Sequence, residues 1–136
     1  HEPKFSTTTG KAQAHAIALH APAEIYSNQL RLMTIRSEGQ FNTVVYEEED
    51  VFRKQTRRDV VLMNEQDISA FGVQVDSFVT VAGPSGTLVV QVKAYPIAKG
   101  NCAMYYPEAN ILLSTKVDDE SKTPFFKGEV VAIKKN

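Results

Sequence analysis

The chain has 136 residues, 43% hydrophobic and 23% charged, which is ordinary for one folded domain and too apolar for a disordered segment. Fifteen basic residues against sixteen acidic ones leave a formal charge of −1, so nothing draws in a polyanion such as nucleic acid. The single cysteine, Cys102, excludes an intrachain disulfide framework and a Cys-rich zinc or iron–sulfur site, and no apolar run reaches the roughly 18 residues of a membrane-spanning helix.

No basic segment followed by an apolar run opens the sequence, and the lone cysteine suits a reducing compartment, so the expected location is cytoplasmic. The start at His1 rather than methionine points to a piece excised from a longer polypeptide. Residues 1–136 read as a single domain, with no internal repeat and no low-complexity tail.

In chain order, Ala12 to Leu19 is read as a strand, with a short helix as the alternative, because Pro22 closes it early and His15, Ile17 and Leu19 alternate with Ala14, Ala16 and Ala18. Leu30 to Ile35 is a strand by its apolar pattern. It runs into the polar loop Arg36-Ser37-Glu38-Gly39-Gln40-Phe41-Asn42-Thr43. Arg36 is suited to bidentate phosphate contacts, Gly39 to close backbone approach, and Gln40, Asn42 and Thr43 to neutral hydrogen bonding. A phosphate-gripping loop and an ordinary strand-ending turn are both open from this segment alone. Glu47 to Asp59, with Arg53, Lys54, Arg57 and Arg58 after an acidic run, reads as a solvated excursion that could begin with a short helix.

Val60 to Met63 is the next strand. A two-turn helix follows, capped by Asn64, with Glu65 and Asp67 in its first turn and Gly72 ending it. Phe78 to Val81 and Leu88 to Val92 form a hairpin about Gly83-Pro84-Ser85-Gly86, and Val130 to Ile133 is the last strand. Before it lie Met104-Tyr105-Tyr106-Pro107-Glu108-Ala109-Asn110, a pocket rim or a packed turn, and the proline-stiffened loop Ser121-Lys122-Thr123-Pro124-Phe125-Phe126-Lys127.

A search for catalytic groups returns little. His15 and His20 lack a Cys or carboxylate at ligand spacing and read as structural or surface residues, and His1 is terminal. Cys102 reads as a buried small residue rather than a nucleophile. The nucleophile elbow, the P-loop and the dinucleotide Gly-x-Gly-x-x-Gly are all missing from the sequence.

Taken together, five segments resemble the C-terminal dinucleotide-binding domain of the molybdopterin oxidoreductases, in particular the formate-dehydrogenase-like alpha subunits. They are Thr9-Gly10-Lys11-Ala12, Thr34-Ile35-Arg36 through Gln40-Phe41-Asn42-Thr43, Leu62-Met63-Asn64 with Asp67, Met104 through Asn110, and Thr123 through Lys127. They occur in the family's order over nearly the whole chain, and Pro107-Glu108-Ala109-Asn110 is the most specific.

The resemblance implies a mainly β, six-stranded double-psi β-barrel, like the aspartate decarboxylases, that closes over a molybdopterin guanine dinucleotide carrying molybdenum or tungsten. It implies cofactor contacts from Arg36, Ser37, Glu38, Gln40, Asn42, Thr43, Asn110 and Lys127. Glu38 beside phosphates would be repelled unless it accepts from a pterin or guanine N–H. Where the family often has an aromatic–histidine pair, this chain has Phe41-Asn42. The metal ligand, any iron–sulfur cluster and the remainder of the pocket would belong to other domains of the parent oxidoreductase, this chain being a clamp without turnover of its own. The competing reading is a double-psi barrel that recognises protein partners. A self-processing pyruvoyl decarboxylase is set aside, because no glycine here precedes a serine.

Overall fold

In a computed structural model, residues 2–18, 24–37, 40 and 47–136 are described. Six strands, β1 (Gln29–Ile35), β2 (Val60–Met63), β3 (Phe78–Ala82), β4 (Thr87–Ala94), β5 (Asn101–Tyr105) and β6 (Lys127–Lys135), close into a barrel in the order β1-β5-β2-β4-β3-β6. Helix α1 (Glu65–Ala70) follows β2, and a short 3-10 helix, Glu108–Leu112, follows β5.

The pairs β1/β5 and β2/β4 are parallel and the other four are antiparallel. Replacing each strand by the one three further along the chain reproduces the same order and the same sense of every pairing. The barrel therefore has an approximate twofold in its topology, which matches α1 with the 3-10 helix.

Alternation along the strands sorts side chains into two apolar layers. Leu30, Leu32, Val61, Met63, Val79, Val81, Val90, Val92, Cys102, Met104, Val131 and Ile133 belong to the main core. Ile35, Val60, Leu62, Ala103 and Tyr105, on the opposite parity of β1, β2 and β5, form a second cluster with Tyr95 and Ile97 packed against it. All four residues of β2 are buried, as a continuous apolar run requires when both faces are covered.

Five of the six expected strands and the hairpin are present, with Gly83 N–H donating to the Gly86 carbonyl across its turn. Asn64 caps α1 by accepting from Gln66 N–H at 2.9 Å, and Gly72 leaves the helix at φ +64°, as the sequence predicts.

Three expectations are corrected. Residues 12–18 form no strand or helix and are exposed. A closed barrel has no edge at which a further strand could pair, so alternation alone could not recruit them; Leu19 lies outside the described residues. Strand β5 was not expected, because Asn-Cys-Ala-Met-Tyr is short and lacks β-branched residues. Residues 47–59 contain no helix and are not simply a solvated excursion, since Asp50, Gln55 and Arg58 are buried, Asp50 and Arg58 against Tyr105 of the outer cluster.

Candidate functional site

Strands β1 and β5 run parallel to Ile35 and Tyr105, so both chains leave the barrel side by side at the same end. The exits diverge, one into Arg36 and Ser37 and the other into Tyr106, Pro107 and the 3-10 helix. β6, antiparallel to β1, begins at this end as well. Its entry is pinned to β1 by Thr34, whose N–H and Oγ1 both donate to the Phe126 carbonyl (3.3 and 3.0 Å), and by Lys127 Nζ, which donates to the Thr34 carbonyl at 2.9 Å.

The space between these three segments is a cleft of about 720 Å³. Leu113, Pro124, Phe125, Phe126 and the Tyr106 ring give it apolar and aromatic walls, while Arg36, Arg53, Lys127 and Asn110 supply its polar groups. The Arg36 guanidinium lies 5.4 Å from the centre of the Tyr106 ring, a cation–π contact. Lys127 uses one of an ammonium's three donors on Thr34, and Asn110 is exposed. Cations at the rim of an aromatic slot fit a ligand that joins flat rings through phosphates.

Of the residues expected to contact a cofactor, Arg36, Asn110 and Lys127 line this one cleft, although they are far apart in sequence. Ser37 and Gln40 are buried beside it: Gln40 Nε2 donates to the Tyr106 carbonyl at 2.9 Å, and its Oε1 accepts from Ser37 N–H at 3.3 Å. Glu38, Asn42 and Thr43 lie outside the described residues.

Sequence reasoning read Arg53 and Arg58 as part of a solvated excursion and left them out of the site. Arg53 lines the cleft, with Nη1 donating to Asp50 Oδ2 (2.6 Å) and to the Arg36 carbonyl (3.0 Å). Asp50 also accepts from the buried Tyr105 hydroxyl at 2.8 Å. Burial raises the Asp50 pKa, but the hydrogen bonds from Arg53 and Tyr105 outweigh it and hold the carboxyl below its ordinary value. The Tyr105 phenol is pushed up by its own burial and by the Asp50 carboxylate, which keeps it a donor.

The Arg58 side chain is 3% exposed. It makes a two-pronged ion pair with Glu108 (Nε to Oε1 2.6 Å, Nη2 to Oε2 3.1 Å) and donates to Ser37 Oγ (2.9 Å) and to the Tyr106 carbonyl (2.6 Å). A signal for both arginines was present in Val60-Val61-Leu62-Met63. A strand apolar on both faces needs an outer cover, and the charged segment before it is the nearest supply. Arg57 pairs with Asp59 near the surface and Lys54 is exposed, as expected of solvated residues.

His15 is exposed and His20 lies outside the described residues. Cys102 is fully buried, and burial first, then the nearby Asp67 charge, pushes its thiol up to about 12, so it is no nucleophile. Among the described residues no group of three or more His, Cys, Asp or Glu is placed to hold a metal, and no helix is long and apolar enough to cross a membrane.

The strand order is that of a double-psi β-barrel. A computationally designed double-psi barrel matches 79% of this chain and 96% of its own length with a TM-score of 0.51 at 18% identity. Acetylene hydratase from Pelobacter acetylenicus matches 79% of this chain with 18% of its length, at a TM-score of 0.61 and 17% identity. Within that fold, residues 30–129 match the sequence profile of the molydopterin (molybdopterin) dinucleotide binding domain, and the chain belongs to that family.

Curated relatives include an uncharacterized oxidoreductase of Mycobacterium tuberculosis, 34% identical over 96% of this chain, and the protein YdeP of Escherichia coli, 28% identical over 83%. The chain spans only 18% and 16% of the lengths of these two relatives.

Proposed function

We propose that this chain is the C-terminal domain of a larger molybdenum- or tungsten-dependent oxidoreductase of the formate-dehydrogenase-like kind. In it the chain clamps the guanine dinucleotide form of molybdopterin. The observation that carries this reading is the convergence of Arg36, Asn110 and Lys127 on one aromatic-walled cleft, within a chain of this family.

When bound, the cofactor supplies the metal at which two-electron redox chemistry takes place. The chain's own residues bind and orient. Arg36 and Lys127 meet phosphate oxygens with charge-assisted hydrogen bonds, Asn110 offers an amide to a base or pterin edge, and Tyr106, Phe125 and Phe126 exclude water from the rings. With the other half of the pocket on other domains, the isolated chain binds weakly and turns nothing over. A buried, free Cys102 suits the cytoplasmic setting that this reading assumes.

The test is a titration of the 136-residue chain with GDP, followed by amide chemical shifts. Perturbations are expected at residues 34–37, at Asn110 and at 124–127, and Arg36→Ala should weaken binding by about tenfold, the weight of one hydrogen bond to a charged group. No perturbation at millimolar GDP, together with full cofactor content in the full-length Arg36→Ala parent, would overturn the reading. A protein-recognition barrel would then be the better account.

A further inference from the structure

We infer that Arg58 is a positioning residue that fixes the spacing of the cleft's two rims, holding the chain next to Arg36 and the turn ahead of Asn110 in one buried fork. The inference rests on the cleft being the binding site, but its geometry can be tested without a ligand.

Arg58 stands outside the cleft lining, yet its donors reach both exits from the barrel. On one rim it donates to Ser37 Oγ at 2.9 Å, one residue beyond Arg36. On the other it holds the Tyr106 carbonyl at 2.6 Å and the Glu108 carboxylate at 2.6 and 3.1 Å, two residues before Asn110. Its guanidinium also lies 4.9 Å from the centre of the Tyr105 ring, in the outer apolar cluster.

Two features make this more than packing. The Tyr106 carbonyl takes donors from both Arg58 and Gln40, so the backbone beneath the ring on which Arg36 stacks is held from two sides. A guanidinium is also a rigid planar fork, and an ammonium cannot hold Ser37, Tyr106 and Glu108 together in that geometry. Burial removes competing water, so the spacing is set by the fork rather than by solvent.

The experiment compares the wild-type chain with Arg58→Lys, which keeps the charge, and Arg57→Lys as a neighbouring control, since Arg57 pairs with Asp59 away from the cleft. The first readout is ligand-free: the ring-current shift that the Tyr106 ring imposes on the Arg36 side chain, read by NMR beside the core methyl groups of Val61, Val79 and Val90. In Arg58→Lys the Arg36 resonances should move towards unstructured positions while the methyl groups keep theirs, and Arg57→Lys should match wild type.

The second readout is GDP affinity, expected to fall by on the order of tenfold in Arg58→Lys and not in Arg57→Lys. If Arg58→Lys does not fold, Glu108→Gln, which keeps one acceptor and removes the counter-charge, is judged by the same shift. A folded Arg58→Lys, or in its place Glu108→Gln, with the Arg36 shift unchanged overturns the inference. If wild type fails to bind GDP, the binding reading is what falls, and the ring-current shift still decides the role of Arg58.

Discussion

Asp50 shows how a single side chain can be costly to bury and still stabilise the fold. Its carboxylate accepts from the Arg53 backbone N–H (3.1 Å), from Arg53 Nη1 (2.6 Å) and from the Tyr105 hydroxyl (2.8 Å). These donors hold its pKa below the ordinary 3.8 despite the opposing effect of burial. A carboxyl lowered in the folded state binds its proton more readily when unfolded, so its contribution is complete above the unfolded value and disappears as pH falls through the folded one. Asp50→Asn, which keeps an acceptor for Tyr105 but loses the ion pair, should cost about 2 kcal/mol at neutral pH. The gap between wild type and variant should begin to narrow as pH falls below the carboxyl's ordinary value of 3.8 and close as it passes through the lowered, folded-state value. Urea unfolding of both proteins at a series of pH values from neutral downward checks this, and a gap that does not narrow at all below 3.8 would show that the ionised carboxylate is not its source.

The β3–β4 turn sets the position of the 3-10 helix, and with it Asn110. A Cβ built on Gly83 would lie 2.1 Å from the Leu112 carbonyl oxygen, a contact that backbone cannot relieve by changing a rotamer. Gly83→Ala should therefore destabilise by about 1–3 kcal/mol, the usual cost of overpacking, and move the amide resonances of residues 108–113. Gly72→Ala is the comparison: a Cβ there meets nothing within 4 Å, but φ is +64°, so it should cost about 1 kcal/mol and leave those amides in place. Equal effects of the two substitutions would mean that the turn and the helix do not bear on each other in solution. At this scale the sequence was informative where an element carries its own signal. Asn64 and Gly72 bracket α1, Gly83 to Gly86 turn the hairpin, and the apolar runs locate five strands. It was silent where the determinant is non-local. Strand β5 is recognisable only through the neighbours β1 and β2 that flank it, and Arg58 only through Glu108 and Ser37, which the fold brings to it. Arg36, Asn110 and Lys127 could each be singled out from residue type and resemblance, but their meeting in one cleft depends on parallel β1/β5 and on β6 entering beside them.

Across the whole molecule, the approximate twofold raises the question of why only one end became the candidate site. The end of the parallel pair β4/β2 has its own hollow of about 380 Å³, bordered by Asn64, Glu65, Gln66, Ala94, Tyr95 and Pro96. There the crossing from β4 to β5 is short and the charged residue bordering the hollow is acidic, Glu65, whereas the long crossing from β1 to β2 contributes Arg53 to the lining of the larger cleft and Arg58 behind it. The two halves thus share a frame, and loop length and charge separate their roles. The frame itself has a mechanical consequence. In a closed barrel no strand can peel away without breaking ladders on both sides, and β5 is bonded to β1 on one side and β2 on the other. Cys102, the second residue of β5, fully buried and with its thiol pushed up to about 12, reports on that opening. Reaction with a disulfide reagent requires the thiol to reach solvent, so under conditions where reclosing outpaces labelling the rate measures the free energy of the opening that exposes it. That free energy should equal the global unfolding free energy from urea denaturation of the same chain and should fall in step with it in Gly83→Ala, although Gly83 is not on β5. A labelling free energy several kcal/mol below the global value would mean that β5 opens locally, and the closed barrel would then not be the cooperative unit of this chain.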